Sequence, residues 1–178
     1  MRQYFDRYTV YQINKRRNFD RMGSIVAFRT FDIDQILSVL THPDILKSIT
    51  EDDSANLQVD PQASCFIACT VNDEISAVFI FDKLGACVCD IHAHVIPAKR
   101  PHSKDIGAAI LSHFFDIAPW AAKLTALIPV CYPNVIAYAH QFGFVNEGVN
   151  RQSYLFQGDL IDQVYLGATK QEVLNGLG

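Results

Sequence analysis

No part of this 178-residue chain is an apolar run of the roughly 18 residues that a membrane-spanning helix needs, so no span is expected. No CxxC pair occurs among the five cysteines, Cys65, Cys69, Cys87, Cys89 and Cys131, which removes zinc-ribbon and thioredoxin-type readings. Their number is odd and all lie in apolar runs, so they read as buried free thiols of a protein in a reducing, cytoplasmic setting. Charge is scarce. Asp, Glu, Lys and Arg make up 19% of residues and the net charge is −4, with a sequence pI near 5.8. A protein that coats nucleic acid with its whole surface is excluded by that balance. The first residues carry no apolar h-region, so no secretory leader is expected. Collagen-like, coiled-coil and disulfide-scaffold classes are excluded by composition.

Apolar residues are 49% of the chain, enough for one sizeable core, and the length fits one domain. Charge is uneven along it. Residues 1–22 hold six basic groups against two acids, a net of +4, which leaves −8 on the rest. We read 1–22 as a basic arm and 23–178 as the folded domain. Such an arm suits a protein partner or an anionic surface, or it is a solvated extension or a packed edge strand.

Periodicity places the elements. Ser24–Arg29 reads as a strand. Asp32–Ser48 reads as a helix started by Asp32 or Asp34 and broken near His42 by Pro43. Glu51–Pro61 is polar loop. Ala63–Val71, Ile75–Phe81 and Cys87–Ile96 are closely spaced strands, an antiparallel meander. Apolar spacings of three and four then mark a helix over Asp105–Ala118. Leu124–Val130 is a strand, and Pro133–Gln141 a short helix with proline in its first turn, ended by Gly143. Phe144–Val149, Ser153–Phe156 and Asp162–Ala168 are further strand-like runs. A helical crossover between Cys87–Ile96 and Leu124–Val130 makes those two strands parallel. The class is α+β with a mixed sheet.

Three features carry chemistry. In Val95-Ile96-Pro97-Ala98-Lys99-Arg100-Pro101-His102-Ser103-Lys104-Asp105-Ile106-Gly107-Ala108, a strand ends at proline and a basic loop feeds a helix. Amides at a helix start, with cations beside them, bind phosphate, and small residues at Gly107 and Ala108 permit close approach. In the strand before it, Asp90, His92 and His94 share one face by period two. A polar stripe on a central strand needs partners, water or a substrate, and histidine suits proton transfer near neutral pH. A metal on Cys87, Cys89, His92 and His94 is disfavoured, because cysteines and histidines point to opposite faces. In Leu127-Ile128-Pro129-Val130-Cys131-Tyr132-Pro133-Asn134, Pro129 cannot donate to a ladder. If it ends the strand parallel to Val95-Ile96-Pro97, the two ends part and open a slot, with Asn134 beside it.

These features, in this order, resemble the GNAT superfamily of acetyl-CoA-dependent N-acetyltransferases, over roughly Ser24–Lys170. The strand ending at Pro97, the basic loop and Ile106-Gly107-Ala108-Ala109-Ile110-Leu111 look like its cofactor loop and helix. Asn134 with Gly143-Phe144 looks like its second signature. Gly148, Arg151–Tyr154 and Asp162–Leu166 look like its closing hairpin. The cofactor loop is longer than the family's and keeps only Gly107 of its glycines. The interval from Asn134 to Gly143 is shorter, and the family's tyrosine acid falls on Ala139, with Tyr138 adjacent. A similarity to GNAT-like proteins carried by bacteriophages is also visible.

The resemblance implies a mostly antiparallel sheet with a central parallel pair splayed at the cofactor site, and helices on both faces. It implies acetyl-CoA as cosubstrate. Its pyrophosphate would lie on the amides of His102, Ser103, Lys104, Asp105, Ile106, Gly107 and Ala108, helped by Arg100 and Lys104. Its pantetheine arm would pair with His94, Val95 and Ile96, near Asn134. His92 and His94 hold positions suited to the base, Asp90 to an orienting group and Tyr138 to the acid. The implied activity is acetyl transfer to an amine of a small molecule or a protein. The alternative is an inactive GNAT-fold assembly component, virion-associated if phage-encoded.

Overall fold

Apolar, β-branched and aromatic residues at the spacing of a pleated ladder build eight strands of this chain into one sheet. A computed structural model describes residues 11–12, 24–50, 57 and 59–177. The basic arm, apart from Tyr11–Gln12, lies outside the described residues, as does most of the expected loop after Thr50. The strands are β1 (Tyr11–Gln12), β2 (Ile25–Thr30), β3 (Cys65–Val71), β4 (Glu74–Lys83), β5 (Val88–Val95), β6 (Lys123–Pro129), β7 (Val145–Phe156) and β8 (Asp159–Thr169). They form one sheet in the order β1-β2-β3-β4-β5-β6-β8-β7. Every neighbouring pair is antiparallel except β5 with β6. The turn between β3 and β4 is Asn72-Asp73, both with positive φ, the geometry of a two-residue hairpin whose twist matches the strands.

The helices are α1 (Ile33–Leu40), α2 (Pro43–Ile49), α3 (Ser103–Ile117), α4 (Pro133–His140) and α5 (Lys170–Gly176). Asp32 caps α1 through its side chain, and Pro43 starts α2, so the helical run breaks at Thr41-His42, where Pro43 places the break. One sheet face packs Phe66, Ala68 and Val78 on Ile36, Val39, Leu40 and Ile45 of α1 and α2. The other packs Ile67, Phe79, Phe81 and Leu124 on Ile106, Ile110 and Phe114 of α3, and on Val173 of α5. Phe81 and Phe114 stack at 3.9 Å.

Three expectations are corrected, and one element is added. Phe144–Val149 and Ser153–Phe156 are one strand, kept continuous by an irregularity between Asn150 and Tyr154. The C-terminal α5 was not expected; Thr169 and Glu172 close its first turn as a reciprocal capping box. Pro97–His102 winds into a 3₁₀ turn rather than a loop. Of the five free cysteines, Cys65, Cys69 and Cys89 are buried, but Cys87 is exposed and Cys131 is half-buried, because Cys87 precedes β5 in the hairpin turn and Cys131 follows the end of β6. Burial pushes the Cys65 and Cys69 thiols up to about 12, so they stay protonated and unreactive. No helix of the described residues is long and apolar enough to cross a membrane.

Candidate active site

The parallel contact between β5 and β6 is short. Val88 faces Lys123, Cys89 faces Leu124 and Asp90 faces Thr125, and the register ends there. β5 continues on β4 to Val95, and β6 continues on β8 to Pro129. The two strands therefore diverge into a wedge whose vertex is Asp90–Thr125, earlier along β6 than Pro129, where it was expected.

Alternate residues of a strand direct their backbone groups to opposite neighbours. On β5, the carbonyl of Val88 accepts from Leu84 N–H across the β4 side, and Ile96 N–H donates to Ser76 O at 2.9 Å. Cys87 O accepts from Lys123 N–H on the β6 side. Ala93 and Val95 thus turn their backbone groups into the wedge, whereas His94 and Ile96, expected to pair with a cofactor, turn theirs to β4. On β6, Lys123 N–H faces β5 and Val130 N–H faces β8, so Leu127 and Pro129 face the wedge. Pro129 has no N–H, and its carbonyl accepts from Tyr132 N–H. Ala93, Val95 and Leu127 are left to offer donors and acceptors inside the opening.

The side chains of Asp90, His92 and His94 share the α1–α2 face, opposite Asp82, Ile80 and Val78 on β4. Thr125 Oγ1 donates to Asp90 Oδ1 at 2.9 Å across the vertex. The other carboxylate oxygen, Asp90 Oδ2, lies 3.4 Å from His92 Nε2. Burial raises the Asp90 pKa, opposed first by the Thr125 hydrogen bond and then by His92. Burial lowers His94 to about 4, helped by the neighbouring His92. His94 is therefore a neutral ring at physiological pH. His92 stands at the surface, with 47% of its side chain exposed.

At the α3 start, no side chain caps the helix, and Ser103 N–H donates to Arg100 O. Arg100 and Lys104 are exposed and form no ion pair among the described residues. Lys99 is drawn off by Glu74. Of the expected phosphate set, Arg100, His102, Ser103, Lys104 and Asp105 are at least partly exposed, while Ile106 and Gly107 are buried and Ala108 packs against the core. The helical period explains this division, because the turn that meets solvent at Lys104 meets the core at Ile106 and Gly107.

Gly107 has a packing reason as well. A Cβ there would collide with Tyr138 Oη and Phe142 Cζ. Its lack of a side chain lets α4 close on α3. Tyr138 Oη donates to Ser103 O at 2.7 Å, and burial raises its pKa. It packs on the α3 side of the sheet, away from the face of His92 and His94, so the three expected catalytic residues are not brought to one place. Asn134 is exposed in the first turn of α4. No group of His, Cys, Asp and Glu among the described residues is placed to hold a metal.

A cleft of about 470 Å³ lies between α2 and the β7–β8 tip. Asp44, Lys47, Tyr132 and Phe156 line it, and the last two meet edge to face at 6.3 Å. Ser64, Asp82 and Thr125 complete the polar surroundings of the histidines and were not singled out in the sequence. Two of the three carry a sequence signal: Asp82 follows the apolar run Ala77–Phe81, and Thr125 interrupts the run Leu124–Val130.

This sheet, with its wedge and flanking helices, is the GNAT acetyltransferase fold. Spermidine N-acetyltransferase from Vibrio cholerae, in complex with CoA and spermine, superposes with a TM-score of 0.69 at 12% identity, over 85% of this chain and 98% of that one. RimJ from Mycobacterium smegmatis, in complex with CoA-disulfide, gives 0.66 at 12% identity, over 85% and 84%. YncA, a putative acetyltransferase from Salmonella typhimurium with acetyl-CoA, gives 0.63 at 15% identity, over 82% and 94%. No family model and no curated protein matches the sequence.

Proposed function

We propose that the protein is an N-acetyltransferase that moves the acetyl group of acetyl-CoA to an amine. The observation that carries this is the wedge: two parallel strands that pair over three residues and then present unpaired backbone beside two histidines, within a fold shared with CoA-bound acetyltransferases. The pantetheine arm adds to β5 at Ala93 and Val95, as an extended ligand adds to a strand edge. Arg100, Lys104 and the first amides of α3 receive the phosphates.

The amine enters on the α1–α2 face, over the cleft with Tyr132 and Phe156, whose ring faces suit a small cationic acceptor. The neighbour's complex with spermine supports that class. The amine nitrogen attacks the thioester carbonyl. The carbon–nitrogen bond forms and the carbonyl oxygen takes the negative charge; the amine proton passes to His92, and the oxyanion then collapses with cleavage of the carbon–sulfur bond. An amide N–H inside the wedge stabilises the oxyanion. CoA leaves as a thiolate that water protonates, since Tyr138 holds its proton on Ser103 O.

Calorimetry with acetyl-CoA tests the reading. A micromolar dissociation constant, about −8 kcal/mol, is expected. Arg100→Ala with Lys104→Ala should weaken it about tenfold or more and reduce its salt dependence. Absence of binding at millimolar ligand would overturn the reading in favour of a catalytically inactive fold used in assembly, which the position of Tyr138 favours.

A further inference from the structure

His92 has two carboxylates. Asp90 Oδ2 is 3.4 Å from its Nε2, and on the other side Asp82 Oδ2, from β4, is 3.7 Å from the same atom. Each carboxylate is held from behind. Ser64 Oγ, just before β3, donates to Asp82 Oδ1, and Thr125 Oγ1, on β6, donates to Asp90 Oδ1. The result is a symmetrical chain, Ser64–Asp82–His92–Asp90–Thr125. It runs from the start of β3 to β6 and crosses the sheet at the vertex of the wedge.

We propose that Ser64 and Thr125 are positioning residues: through the two aspartates they hold the His92 ring at the wedge and make it the point where a proton leaves the site. The inference rests on the acetyltransferase reading for its catalytic meaning, but the chain itself is a property of the sheet. Each hydroxyl fixes one carboxylate oxygen, so the other oxygen stays aimed at Nε2 and does not rotate into water. A proton on Nε2 is then attracted from both sides. The charged and titratable groups that face His92 among the described residues are Asp82 from β4 and Asp90 and His94 from β5. A proton taken from the amine is held between Asp82 and Asp90 at a ring open to solvent, and it leaves to water from there.

Neither Ser64 nor Thr125 touches His92, which makes them the informative positions. The imidazole of His92 is observed by ¹H–¹⁵N NMR at one fixed pH in the full chain, in wild type, Ser64→Ala, Thr125→Val and Thr125→Ser. The ring resonances of His92 should move and broaden in Ser64→Ala and Thr125→Val as the ring loses its fixed orientation, and Thr125→Ser should restore them. In the acetyl-transfer assay, kcat should fall about tenfold in the same two variants while KM for acetyl-CoA holds, and Thr125→Ser should recover it. Wild-type His92 ring resonances in both variants overturn the proposal. If Thr125→Val does not fold, Ser64→Ala decides alone, since its partner Asp82 lies outside the vertex. Ring resonances that respond as expected in a protein with no turnover on any amine would overturn the transferase reading and leave the positioning roles standing.

Discussion

Single residues here are constrained by what lies behind them more than by what they face. Gly107 stands where a phosphate-binding glycine is expected, yet its missing side chain is filled by Tyr138 and Phe142. Gly107→Ala should therefore lower stability by about 1–3 kcal/mol through overpacking, read as a shift of the urea midpoint. It should alter acetyl-CoA affinity only through that loss, and Gly107→Ala with Phe142→Leu should regain part of it. The sequence makes the glycine visible but not its neighbour, because α3 and α4 are separated by a strand and meet only in three dimensions. Asp90, His92 and His94 were legible as a stripe because period two needs no tertiary knowledge. Their distant support Ser64 was not, because it reaches Asp82 from the open end of the β3–β4 hairpin.

At the scale of elements, locally encoded signals were readable. Pro43 broke the first helix, Asn72-Asp73 turned the hairpin, and apolar spacing marked α3. At the β3–β4 turn Asp73 has φ 65°, a conformation a side chain adopts at a cost and glycine adopts freely. Asp73→Gly should stabilise the protein by several tenths of a kcal/mol up to about 1, seen as a raised urea midpoint with an unchanged slope. Two elements escaped. α5 is short and is sustained by its capping box and by burial of Val173, a tertiary gain that propensity does not carry. β7 keeps its course through Asn150–Ser153 although Gln152 has positive φ, because Gln152 N–H donates to Asp162 Oδ1 on β8. The wedge was expected from proline alone, and its vertex is set instead by the last register pair.

For the whole molecule, acid is the expected weakness. His113 is fully buried, and neither ring nitrogen has a hydrogen-bond partner among the described residues. Burial lowers its pKa, opposed by Asp116. His94 is lowered to about 4 from an ordinary 6.5. A group whose folded pKa is depressed this way binds its proton first in the unfolded chain. Stability contributed by neutral His94 and His113 is thus complete above pH about 6.5 and is lost as pH falls toward 4. Urea midpoints at pH 7 and pH 4.5 should show that loss. His113→Leu should reduce the difference and raise the midpoint at both values, since it removes two unsatisfied polar atoms from the core.

The seam of three facing pairs between β5 and β6 also orders the chain in time. Every strand on one side of it, β1 to β5, precedes every strand on the other in sequence. Within the first group, pairing joins only consecutive neighbours. During synthesis the leading half-sheet is therefore complete before a residue of the trailing half has been made. The ribosome delivers the two halves one after the other, and the helix α3 between them is the last segment translated before the second begins.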